Sequence, residues 1–176
     1  MGVFLGKTFV IVLGMLVHQR SSVQEKINLF RSLFRGREEV YARRFVSNKT
    51  GKAGYSPVCG NEWVRGVCEK PRIKCANCPH QAWLAVTDEV VRWHLSGKNA
   101  AGREFVMGVY PMLLDERCWF LAVDFDGEGW LQETSEFMET CREKEVPAVL
   151  ERSRSGNGGH VWLFFTQAIP ATLARS

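Results

Sequence analysis

An apolar run that stops on two acids constrains this chain more than any other stretch. In "WFLAVDFDGEGW" a β-prone segment delivers Asp124 and Asp126, one residue apart, to a glycine turn. Successive side chains of a strand alternate faces, so residues i and i+2 point the same way. The two carboxylates therefore meet at a strand end. Ionised side by side they repel, and the usual relief is a divalent cation. An all-oxygen donor set favours Mg2+ or Mn2+. A plainer reading stays open: two solvated acids entering a "DG" turn.

The second informative stretch is "RSRSGNGGHVWLFF". Its glycines let the backbone approach a ligand closely. Arg152, Arg154, Ser155, the loop N–H groups and His160 are placed to surround an anion. Two carboxylates for a metal and a cationic loop for phosphates are what a metal–triphosphate complex requires. His160 opens the apolar run and faces the carboxylates if the two strands are neighbours. The alternative for His160 is a satisfied core histidine.

The remaining pattern gives the fold class. "FVMGVYPML", "CWFLAVDFD", "PAVLERS" and "HVWLFF" read as strands, and "LQETSEFMETCREKE" between the second and third reads as a helix. The order strand, strand, helix, strand, strand points to an α+β sheet with a helix on one face. Upstream, "SSVQEKINLFRSLF" is a helix, with Ser22 and Glu25 as a capping box and Val23, Ile27, Phe30 and Phe34 on one side; Gly36 ends it. "EEVYARRFVS" is a further turn or a strand, and "NKTGKAGYSP" reads as a loop. "TDEVVRWHLSG" is a short helix capped by Thr87 and stopped by Gly97.

Cys59, Cys68, Cys75 and Cys78 fall in one aperiodic segment. The "CANC" pair can present two thiolates from a tight knuckle, and tetrahedral zinc takes four ligands. Cys59 and Cys68 complete the set, with His80 as a possible substitute. Disulfides, or cysteines without a shared role, are the competing readings; disulfides suit a secreted chain, and little else here looks secreted. Cys118 and Cys141 lie in apolar patterns and read as core residues.

The first twenty residues hold an apolar run that is short for a membrane span. It lacks a clear cleavage site for a signal peptide, so a buried element, an export signal and translated upstream sequence all stay open. The 176 residues carry 23 Lys and Arg against 19 Asp and Glu, a net charge of +4. That mild excess permits a nucleic-acid or nucleotide partner without demanding one.

The motifs together are specific. "DFD" and "SRSGNGGHVWLFF", with "LFRSLFRGREEVYARRF", "TGKAGYSPVCGNEWVRGVCEKPRIKCANC", "HLSGK" and "GVYPMLLDERCWFLAVDFD" before them, resemble the archaeo-eukaryotic primase superfamily. More narrowly, they resemble the primase domain of TOTE conflict systems, from Lys26 to Arg175. The resemblance implies an α+β fold: an RRM-like primase-polymerase catalytic sheet with packed helices and a small zinc-binding insertion. It divides the chain into an apolar segment 1–20, a helical and basic segment 21–58, a zinc-binding module 59–80 and a partial catalytic core 81–176.

The resemblance also implies an activity, template-directed nucleotidyl transfer by a DNA primase/polymerase domain. Asp124 and Asp126 would be the motif-one ligands of Mg2+ or Mn2+. Ser155 and His160 would be motif two, with His160 on the incoming triphosphate and Arg152 and Arg154 on phosphates or template. Cys59, Cys68, Cys75 and Cys78 would hold a structural Zn2+. The partners would be a DNA or RNA template, nucleoside triphosphates, and a helicase and nuclease in the same or a neighbouring chain. A cytoplasmic location without stable membrane association follows.

One departure stands out. Such domains carry a third carboxylate motif on a strand after motif two, and no Asp or Glu follows Glu151 here. Glu128 and Glu151 are the acids left to stand in, and neither fits the expected place. The expectation is therefore a domain lacking its C-terminal part; the alternative is a catalytically inactive, zinc-containing remnant that still binds nucleic acid. A haloacid-dehalogenase-type phosphohydrolase, suggested by "VDFDGEG", is disfavoured because Glu128 stands where that family has Thr.

Overall fold

The computed structural model describes residues 17–153 and 156–175. Arg154, Ser155 and most of the apolar N-terminal segment lie outside the described residues. The architecture is mixed α/β, with two antiparallel three-stranded sheets and four helices among the described residues. The chain divides into two compact units. Among the described residues, one takes 17–31 and 36–110, the other 32–35 and 111–175.

In the first unit, helix α1 (Val23–Leu33) starts where the sequence places it. The Ser22 N–H donates to Glu25 Oε2 at 2.7 Å and the Glu25 N–H donates to Ser22 Oγ at 3.2 Å. This reciprocal pair satisfies two donors that a helix start leaves orphaned. Hydrogen bonding to Ser22 holds the Glu25 carboxyl below its usual range. Helix α2 (Asp88–Ser96) opens on Thr87, whose hydroxyl accepts from the Val90 N–H, and closes on Gly97 at φ 73°. Strands β1 (Ala42–Val46), β2 (Ala53–Pro57) and β3 (Met107–Gly108) form a sheet in the order β2-β1-β3. The core gathers Ile27, Tyr41, Val58, Val90, Val91, Phe105 and Met107.

Two readings of the sequence change here. "NKTGKAGYSP" is not all loop: Ala53–Pro57 pairs residue for residue with Ala42–Val46. Its Gly and Pro lower strand propensity, but the cross-strand ladder outweighs them, and Pro57 is the last residue of the strand. "FVMGVYPML" supplies only the two residues of β3, and these pair with β1 rather than joining the sheet that bears Asp124.

The second unit holds strands β4 (Arg117–Asp126), β5 (Val149–Arg152) and β6 (Gly158–Pro170), in the order β4-β6-β5. Helix α3 (Trp130–Glu143) covers one face, where Phe137 meets Phe125 at 5.5 Å between ring centroids. Val161 is fully buried beneath it, and Trp130 lies over Gly159. On the other face, Phe34 packs edge-on against Phe120, Trp162 and Phe164, with centroids 5.7, 5.0 and 5.6 Å away. A short helix, α4 (Ala171–Ala174), follows β6. Cys118 and Cys141 are buried, as their apolar surroundings in the sequence predict.

Candidate active site

Pairing across β4 and β6 sets the geometry. Asp124 lies directly opposite His160, and Asp126 opposite Gly158. Directly paired residues share a sheet face, so both acids and the histidine stand on the face away from α3. Asp124 and Asp126 are exposed and His160 is partly so. His160 Nε2 is 3.4 Å from Asp124 Oδ1.

Glycine at 158 is a steric requirement. A Cβ there would lie 2.5 Å from Asp126 Oδ1, 2.7 Å from the Phe125 carbonyl oxygen and 3.3 Å from Ser153 Oγ. The missing side chain is thus a cradle for the Asp126 carboxylate. The turn before it is closed by the Ser153 N–H donating to the Gly158 carbonyl at 2.9 Å.

The third strand adds an acid to the same face. Glu151 on β5 is directly opposite His160 on β6. Its Oε2 is 3.6 Å from His160 Nδ1, too long for a hydrogen bond, and accepts one from Trp162 Nε1 at 2.8 Å. His160 thus stands between Asp124 and Glu151, with a buried Nδ1 that has no hydrogen-bond partner among the described residues. In the sequence alone Glu151 is only an acid left to stand in for a distant motif. Its signal was parity: pairing "LERS" back across the glycine loop aligns it with the histidine.

Arg152 is placed differently. It pairs with Gly159, so it roots on the α3 side of the sheet, and its guanidinium donates to the Gly156 carbonyl from Nε at 3.2 Å and from a terminal nitrogen at 3.0 Å. It closes the loop and is not brought to Asp124. The companion positions Arg154 and Ser155 lie outside the described residues.

The four cysteines belong to the other unit. Cys59, Cys68, Cys75 and Cys78 are free thiols, and together with His80 and Lys70 they line one cavity. Cys75–Asn77 forms a single 3-10 turn whose Cys78 N–H donates back to the Cys75 carbonyl. The Ala82 N–H donates to Cys59 Sγ at 3.4 Å. Burial pulls the Lys70 ammonium down, but hydrogen bonds to Glu62 and Cys75 and the charges of both outweigh it, so its pKa is raised. Among the described residues no group of three or more His, Cys, Asp or Glu is arranged as it stands to hold a metal ion. Four cysteine sulfurs nonetheless line the same cavity, and sulfur is a donor type that tetrahedral zinc takes.

Among the described residues, no helix is long and apolar enough to cross a membrane.

No curated protein and no solved structure matches the chain. The family model of the TOTE conflict system archaeo-eukaryotic primase domain does match, over residues 25–176. That span contains the whole β4-β6-β5 sheet, its acid pair and the cysteine cavity, and it covers most of the 176 residues. The chain therefore belongs to the archaeo-eukaryotic primase domain family of TOTE conflict systems.

Proposed function

We propose that the acid-bearing end of the β4-β6-β5 sheet, on the face away from α3, is a metal-dependent nucleotide site for template-directed nucleotidyl transfer, the chemistry of a DNA primase or polymerase. The observation that supports it best is the direct pairing of Asp124 with His160, which sets an acid pair and an imidazole on one exposed face. Asp124 and Asp126 would hold Mg2+ or Mn2+, which suits their all-oxygen donors. A divalent ion so held would neutralise charge on the attacking and leaving oxygens of phosphoryl transfer.

The remaining roles fall to the chain's own side chains. His160 presents Nε2 beside Asp124, where an N–H donor reaches a triphosphate oxygen. Glu151, anchored by Trp162, flanks the other ring nitrogen and limits how the imidazole turns. Gly158 leaves the Asp126 carboxylate its room. Arg152 shapes the loop, and Arg154 and Ser155 within it are the proposed phosphate contacts. The new bond would form between a primer hydroxyl oxygen and the α-phosphorus. The bond to the pyrophosphate oxygen breaks, and the hydroxyl proton leaves to solvent.

In the other unit, Cys59, Cys68, Cys75 and Cys78 would hold a structural Zn2+, with His80 at hand. The Ala82 N–H on Cys59 Sγ is the sort of outer contact that steadies a metal-bound thiolate. The partners in this reading are a nucleic-acid template and nucleoside triphosphates, alongside a helicase and a nuclease.

The test is deoxynucleoside triphosphate binding with and without Mn2+, on this chain and on the Asp124→Ala, Asp126→Ala double variant. Binding that needs Mn2+ and disappears in the variant is the expected result. An equal response from both proteins removes the acid pair from the site. No binding in either would leave a nucleic-acid-holding fragment as the reading.

A further inference from the structure

Charge is not spread evenly over the two units. Residues 17–31 and 36–110 hold fifteen Lys and Arg against eight Asp and Glu, although the whole chain is only +4. Within that unit the contrast sharpens. From Val40 to Asn61 there is no acidic residue, while Arg43, Arg44, Lys49 and Lys52 all fall there. This stretch is the β1–β2 hairpin.

The hairpin's shape adds to its charge. Lys49 and Lys52 sit in the turn, which the Ser47 N–H closes by donating to the Lys52 carbonyl at 2.9 Å. Arg44 is directly opposite Tyr55, so the two share a face with Val46. Tyr55 is 57% exposed and Val46 50% exposed. An apolar ring left in water on a regular strand calls for an account, and its bedding supplies one. Tyr55 Cδ1 and Cε1 come within 3.4 and 3.6 Å of the point where a Cβ on Gly108 would stand, and Ala42 Cβ lies 3.6 Å from that point. Gly108 is on β3, beyond β1 in the sheet. The ring therefore reaches across the small residues Ala42 and Gly108, one side bedded on the sheet and the other open.

An open ring on a rigid sheet beside an arginine is a stacking platform for a base, and stacking tolerates any sequence because every base has a π-face. Among the described residues the half-buried Arg44 side chain makes one ion pair, to the exposed Glu104, 3.5 Å away. The Glu104 partner is solvated, which keeps the pair weak, and a phosphate competes for the guanidinium. We infer that the β1–β2 hairpin is an arm for single-stranded nucleic acid, with Tyr55 stacking on a base and Arg44, Lys49 and Lys52 meeting the phosphates. The proposed function enters only in naming that strand as template; binding itself stands without it.

The experiment is fluorescence anisotropy of labelled oligo-dT, oligo-U and a mixed-sequence duplex against the full chain, over a range of salt. Tyr55→Ala should weaken single-strand binding roughly 5- to 150-fold, the effect of losing one stacked base. Tyr55→Phe should bind like the unmodified chain. The Lys49→Ala, Lys52→Ala variant should flatten the log–log salt slope by about 1.4, at ~0.7 for each phosphate contact to a single strand. A preference for either oligo-dT or oligo-U supports the arm and names its source.

No single-strand binding by the unmodified chain overturns the inference. So does Tyr55→Ala binding like the unmodified chain, Tyr55→Phe binding as weakly as Tyr55→Ala, or a duplex bound more tightly than either single strand. Mn2+-dependent nucleotide binding, measured on the same proteins, separates the two ideas. It should be unaffected in Tyr55→Ala, and its absence from every protein would remove the nucleotide site while the strand data still judge the hairpin.

Discussion

His160 Nε2 stands 3.4 Å from Asp124 Oδ1, and the two residues face each other directly across β4 and β6. On the far side of the ring, Glu151 takes the same position from β5. Three adjacent strands thus each place one functional group in a single row, and the spacing of that row is the spacing of the sheet itself. The side chains need little help from packing to meet.

Gly158 is the place where this row tolerates least. A methyl group there would lie 2.5 Å from Asp126 Oδ1 and 2.7 Å from the Phe125 carbonyl oxygen. Gly158→Ala should therefore push the carboxylate aside and loosen the end of the β4–β6 ladder. We expect a loss of ~1–3 kcal/mol in urea unfolding, typical of overpacking, together with weaker Mn2+ binding by calorimetry. A variant that keeps both values would show that the strand ends separate freely.

Trp162 joins the aromatic cluster to the site by one hydrogen bond, to Glu151 at 2.8 Å. Trp162→Phe removes the donor and keeps a ring against Phe34. Because Glu151 is more than half exposed, the expected cost is about 1 kcal/mol, below the ~1.5–3 kcal/mol of a hydrogen bond to a charged group. Glu151→Gln retains an acceptor and should cost less. Chemical denaturation of the two variants, alongside nucleotide titration, checks the ordering.

Zinc content decides the role proposed for the cysteine cavity. Purified chain should contain close to one equivalent of zinc by elemental analysis, and Cys75→Ser with Cys78→Ser should abolish it. The four thiols should react with a disulfide reagent only after chelation. Metal-free protein whose thiols titrate at once would refute a shared site.

Buried thiols give a dependence on pH with a definite sign. Burial pushes Cys118 and Cys141 above the ordinary thiol value of 9.0. The folded chain keeps two protons that the unfolded chain gives up, so their contribution is full below pH 9 and falls as pH rises beyond it. The melting temperature should drop between pH 8.5 and 10, and Cys118→Ala with Cys141→Ala should reduce the drop. Equal slopes would assign the effect to other groups.

Much of the fold was legible because local signals agreed with it. The Ser22 and Glu25 box, the Thr87 cap and Gly97 stop, and the parity of Asp124 and Asp126 are short-range patterns. Strand β2 was missed because Gly54 and Pro57 argue against a strand locally, whereas pairing with β1 is a non-local term. "FVMGVYPML" misled for the converse reason: its β-propensity is high, but propensity does not say which sheet receives a strand. Of the site, Asp124 and His160 were readable as residues, and their contact depended on strand order. Glu151 needed both strand order and hairpin register. Arg152 was assigned by charge, and its pairing with Gly159 turned it to the other face.

The central position of β6 has one more consequence. Its backbone is hydrogen-bonded on both sides, to β4 and to β5, and His160 rides on it between two acids. Sliding this strand by one residue would turn His160 toward α3 and bring the bulk of Val161 to the acids. The register that buries Val161 under α3 is thus the same register that sets His160 between the two acids, so core packing and the site are secured by one alignment.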